Sequence, residues 1–198
     1  MSIEEDVIDF LGSRDVQDIY IALNFAPPAS GGPAHVNIRV DSSTFDRVAR
    51  AIHSRLITIV EREPFTENMT DVCGVLRPVA GAFWRASNKI VIPRPVGGFR
   101  QEIVVHEAVH VSFHLTRASN VTDYFNEEAT CYIAGHMHMA YNNFRYPGNP
   151  VPETREVHRL AQICANQMLS SRGLQPGSYE RLYDAIANHP GYRTVCTP

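Results

Sequence analysis

One stretch limits this chain more than any other. From Phe99 to Thr116 it reads FRQEIVVHEAVHVSFHLT, with Ile103, Val104, Val105, Val109, Val111 and Phe113 spread around nearly every face of a helix. A helix apolar all round is a buried one, so the polar groups it carries need partners. Those groups are His106, Glu107 and His110. Residues four apart stand one above the other on a helix face, so both imidazoles project the same way and can hold one zinc ion at roughly 2.0–2.1 Å each. Glu107 sits about 100° around the axis, within reach of a water on such a metal. A catalytic zinc site needs a third protein ligand and keeps a fourth position open. The plain alternative is a pair of core histidines satisfied by neighbours.

A third ligand is available in the next helical stretch, Val121 to Tyr141, which contains YFNEEATCYIAGH. Glu127 and Glu128 follow His110 by enough residues for the first helix to end, a turn through Ala118 to Asn120, and an antiparallel return. They lie about 100° apart, so only one can face the metal, and the spacing leaves the choice open. His114 continues the four-residue rhythm but stands about 6 Å along the axis from His110 and about 12 Å from His106, too far to share an ion. His136 and His138 read as core or surface residues, and nothing argues for function at His35 or His53. Cys73, Cys131, Cys164 and Cys196 form no CxxC pair, so thiolate zinc is not expected; they are free thiols or two disulfides.

The remaining chain is read around these helices. Its 198 residues are one domain's worth. A net charge of −3 excludes the basic footprint of a nucleic-acid binder. No window reaches the roughly 18 apolar residues of a membrane span, and MSIEEDVIDF lacks a secretory pattern, so a cytoplasmic location or delivery by a secretion system is expected. Periodicity predicts a helix closed by Gly12, a strand over His35 to Val40, and a helix from Phe45 ending before Pro64. It predicts strands at Gly74 to Trp84 and Asn88 to Pro93, a loop at Tyr146 to Pro152, and helices at Glu153 to Ser171 and Ser178 to Asn188. The expected class is α+β in a single domain: residues 1–98 as an α/β part with an edge strand, 99–145 as the HExxH helix and the glutamate helix, and 153–198 as a C-terminal helical annex.

HEAVH followed by NEEATC resembles the gluzincin metallopeptidases, whose thermolysin-like members carry HExxH followed by N-E-x-x-S-D. Upstream, GAFWRASNKIVI, residues Gly81 to Ile92, is similar to that family's N-A-F-W edge-strand segment. Together the three segments cover about residues 81–131. The resemblance implies a zincin-like fold with a small mixed sheet, and His106, His110 and Glu127 as zinc ligands, with Glu128 as the alternative to Glu127. It implies Glu107 as the general base that takes the proton of a zinc-activated water, and Ala82 to Trp84 as the edge along which an extended peptide or protein substrate pairs. An oxyanion donor is expected from a downstream histidine with a tyrosine, among His158, Tyr183, His189 and Tyr192, with His158 or His189 preferred.

The chain also departs from that pattern. Gly81 replaces the asparagine that would hold substrate. Cys131 replaces the aspartate that would orient a histidine, leaving Asp71, Asp123 or Asn126 for that task. The resemblance therefore implies a compact zinc-dependent endopeptidase; the alternative is a zinc-binding structural or inhibitor-like domain, which would have no use for Glu107. Lys89 is the only lysine against seventeen arginines. Genomic base composition accounts for this bias, and so would a bacterial effector or toxin domain with an immunity or inhibitor protein as partner; an intracellular processing peptidase is the other setting.

Overall fold

Ser2 opens helix α1 (Ile3–Leu11) with a capping box: its hydroxyl accepts from the Glu5 N–H while the Glu5 carboxylate accepts from the Ser2 N–H. The computed structural model describes residues 2–25, 36–62, 68–70, 76–78, 81–93, 101–118, 122–144 and 152–192. Val7 and Leu11 turn the inner face of α1 into the core. A single-turn helix α2 (Arg14–Gln17) leads into β1 (Ile21–Phe25), which pairs antiparallel with β2 (Val36–Val40) so that buried Leu23 lies opposite buried Ile38.

Asp41 caps α3 (Ser42–His53), whose Phe45, Val48, Ala51 and Ile52 are buried. The helix expected to continue toward Pro64 stops here. Arg55 adopts a left-handed backbone, φ 61°, and the chain continues as strand β3 (Thr58–Arg62). Leu56, which fits the helical rhythm, is 52% exposed, while Ile57 and Ile59 point inward at strand spacing. Pairing with a neighbouring strand outweighs the local helical pattern.

The single strand expected from Gly74 to Trp84 is two: β5 (Leu76–Pro78), paired antiparallel with β4 (Asn68–Thr70), and β6 (Ala82–Trp84). A 3-10 turn over Arg85–Ser87 and a left-handed Asn88, φ 53°, swing the chain into β7 (Lys89–Pro93). β7 lies between β3, parallel to it, and β6, antiparallel to it. Among the described residues β6 is therefore the edge of a three-stranded mixed sheet.

Helices α4 (Gln101–Leu115) and α5 (Tyr124–Tyr141) carry the site. They approach closely at Gly135, where a Cβ would stand 3.1 Å from the Glu102 carbonyl oxygen. Helix α6 (Pro152–Ser171) and helix α7 (Pro176–Asn188) join the same hydrophobic cluster, which runs from Val7 to Ile186. Fully buried Tyr179 of α7 ties back to α5 by donating its hydroxyl to Asn126 Oδ1, 2.6 Å away. The architecture is α+β, and no helix among the described residues is long and apolar enough to cross a membrane.

Candidate metal centre

Helix α4 is buried on nearly every face, and its His106 and His110 meet α5. Glu128 spans both of them: Oε1 is 3.3 Å from His110 Nε2 and Oε2 is 3.5 Å from His106 Nε2. Ligands at zinc–nitrogen and zinc–oxygen lengths of about 2.0–2.2 Å on a tetrahedron stand about 3.3–3.5 Å from one another. Each of the two separations has that length, to a different oxygen of the carboxylate. Oε2 of Glu128 is buried, and among the described residues no hydrogen-bond donor reaches it. An orphaned anionic oxygen beside the His106 ring nitrogen is costly unless a cation is shared between them. The donors His106, His110 and Glu128 are chemically suited to a metal ion.

Glu127, which the resemblance favoured as the ligand, occupies a different place. Its Oε1 accepts from His110 Nδ1 at 2.7 Å and from the Arg85 guanidinium, behind the ring and away from the Nε2 atoms. The rotation of α5 against α4 decides between neighbours 100° apart, with Ala129, Ile133 and Ala134 packed without exposure on the adjoining faces. Among the described residues Glu127, and not Asp123 or Asn126, makes the carboxylate contact to a ring nitrogen of His110. Asp123 caps α5 and accepts from both Asn126 nitrogens, while Asn126 accepts from Tyr179. Asp71 lies outside the described residues.

Cys131, for which the spacing predicts no metal role, lies beside the two histidines. His106, His110 and Cys131 offer ligand atoms within 4.8 Å of one another, a cluster that could hold a metal ion. The absence of a CxxC pair says nothing about a cysteine one helical turn beyond Glu128 on a packed face. Burial pushes the Cys131 thiol up to about 12, with His110 pulling the other way. Cys164 is likewise a buried free thiol, whereas Cys73 and Cys196 fall outside the described residues.

Glu107 is 6% exposed, beside both histidines. Burial raises its pKa, His106 and His110 oppose the rise, Glu128 adds to it, and the backbone N–H of Phe83 in β6 opposes it. Burial also pushes Glu127 and Glu128 upward, but their histidine contacts outweigh it and hold both below the usual carboxylate range; Arg85 contributes for Glu127. Three buried carboxylates converge here with one guanidinium beside them. At Gly81, where the gluzincin pattern that the segment resembles has asparagine, a Cβ would stand 2.4 Å from Ile103 Cγ2 and 3.6 Å from Glu107 Oε1. The Ile103 side chain fills that space.

The downstream histidines are placed elsewhere. His158 Nδ1 lies 3.0 Å from His136 Nε2, and the Tyr132 ring packs edge-on against both His158 and His106, with centroids 5.2 and 4.8 Å away. Burial, then His136, pushes the His158 imidazole down to about 3. His189 contacts Thr154 Oγ1 at 2.8 Å and accepts from the Gly191 N–H at 3.0 Å. Neither is brought among the metal donors. Burial, with the Glu128 carboxylate adding to it, raises the phenols of Tyr124 and Tyr192, and Tyr132 and Tyr192 share a 2.6 Å hydrogen bond. Tyr124 and Tyr132 were not singled out in the sequence, although both sit one turn from Glu128 on α5. Tyr183 reaches Asp123 at 3.5 Å, and His114 packs on Phe83. No protein-family model matches this chain, and no curated protein and no solved structure matches it.

Proposed function

We propose that the chain is a zincin-like metallopeptidase that holds zinc through His106, His110 and Glu128 and uses Glu107 as the general base. The observation that carries this reading is the Glu128 carboxylate spanning the two Nε2 atoms, one oxygen without a donor, with a second buried carboxylate beside it. Bound there, zinc would supply Lewis acidity, acidifying water and polarising a carbonyl. The protein does the rest. Burial lifts Glu107 toward the range in which a carboxylate takes up a proton and returns it to a leaving amine. The β6 edge offers main-chain hydrogen bonds to an extended peptide. Tyr192 is the proposed donor to the developing oxyanion, because its hydroxyl shares a 2.6 Å hydrogen bond with Tyr132, whose ring packs edge-on against His106.

The Glu107→Gln variant tests this. Elemental analysis should find zinc in both forms, and cleavage of a mixed peptide library should fall by about 10²–10⁴-fold in the variant. Absence of cleavage by the zinc-loaded, unmutated protein on every library would overturn the peptidase reading. Cys131 favours a second reading, a closed structural site: as a fourth ligand it would take the position that substrate needs. A toxin-like role is supported only by the scarcity of lysine. Cytosolic and periplasmic production with and without Glu107 checks it, growth arrest in one compartment that the variant abolishes being the expected sign.

A further inference from the structure

Two adjacent glutamates of α5 meet the same histidine from opposite sides, and only one faces the metal donors. Glu127 is 1% exposed, with Oε1 2.7 Å from His110 Nδ1 and bonded to Arg85 Nη2. Arg85 directly follows β6, and its side chain is 41% exposed, so it reaches from the surface to a buried carboxylate. A histidine whose Nδ1–H donates to a carboxylate has its Nε2 lone pair fixed toward a metal, and that carboxylate needs a positive partner of its own when water is excluded. Arg85 is that partner. The same strand approaches the base as well, since the Phe83 N–H faces Glu107.

We propose that Arg85 is a positioning residue: acting through Glu127, it fixes the tautomer and ring orientation of His110 and ties the peptide-pairing edge strand to the metal centre. The proposal rests on the zinc reading given above. The guanidinium brings Nη2 to Glu127 Oε1 from a side chain anchored where β6 ends, a direction that a shorter ammonium chain reproduces only in part. Arg85 does not touch the metal donors itself, so its effect is transmitted through one carboxylate.

Cobalt(II) binding to the full chain tests this by chelator competition, together with the visible d–d spectrum of the cobalt site. Glu127→Gln should weaken binding by about 10–100-fold, as expected for a partner that orients a ligand. Arg85→Gln should weaken it by about tenfold and shift the spectrum, and Arg85→Lys should recover part of the loss. The double variant should bind no more weakly than Glu127→Gln alone, because the two act in series. An unchanged affinity and spectrum in Arg85→Gln, or losses that simply add in the double variant, would overturn the proposal while leaving the zinc reading intact. Failure of the unmutated protein to bind cobalt or zinc would remove both.

Discussion

Glu128 Oε2 lies 3.5 Å from His106 Nε2 and has no hydrogen-bond donor among the described residues. The pair is arranged as two ligands of one ion would be, and the resulting expectations can be measured.

Glu128 and Glu127 should separate cleanly by substitution. Glu128→Gln should cost more zinc affinity than the roughly 10–100-fold expected for Glu127→Gln, because it removes a ligand and not its support. Titration with a zinc-binding dye reads the difference; the reverse order would return the ligand role to Glu127.

Cys131 discriminates between an open and a closed site. The peptidase reading expects the cobalt protein to lack the near-ultraviolet charge-transfer band of a thiolate–cobalt bond, and expects Cys131→Ser to retain zinc. A strong band that disappears in Cys131→Ser would identify a four-ligand structural centre.

Gly81 is required by packing. Gly81→Ala places a Cβ 2.4 Å from Ile103 Cγ2 and 3.2 Å from the Val91 carbonyl oxygen, between the β6–β7 pair and α4. A loss of about 1–3 kcal/mol in urea denaturation is expected for such overpacking. Unaltered stability would show that β6 can move off the helix.

Acid should destabilise the metal-free protein through its buried histidines. Burial pushes His138 down to about 4, with Asp15 pulling the other way. The unfolded chain therefore binds the proton first: this contribution to stability is complete above about pH 6.5 and is lost as pH falls toward 4. Within that window each such group gives a slope of up to about 1.4 kcal/mol per pH unit. Urea midpoints measured with a chelator at pH 7 and pH 5 should draw closer together in His138→Gln than in the unmutated protein. An equal drop in both would assign the acid sensitivity elsewhere, first to His136, which burial also pushes down to about 4.

Much of the helical frame was legible because its signals are local. Ser2 with Glu5, the four-residue rhythm of α4 and the prolines around α6 and α7 act within a few residues of one another. Strands were less legible. β1 was not anticipated, since Ile21–Phe25 acquires its identity from Val36–Val40 across the pair. The helix drawn through Leu56 toward Pro64 gives way to a strand because β3 is set by β7, whose paired residues lie thirty-one positions further along the chain.

At the site, the sequence by itself determined that His106 and His110 share one face of a buried helix with Glu107 beside them, because helix geometry ties residues four apart to one direction. Tertiary structure decided what stands opposite. Whether Glu127 or Glu128 meets the Nε2 atoms, whether Cys131 comes within reach, and that Arg85 closes the back of His110 all depend on how α5 is rotated against α4 and where β6 ends. That rotation is a sum of many small contacts along two buried faces, the close approach of Gly135 to Glu102 among them. No residue spacing within α5 records it.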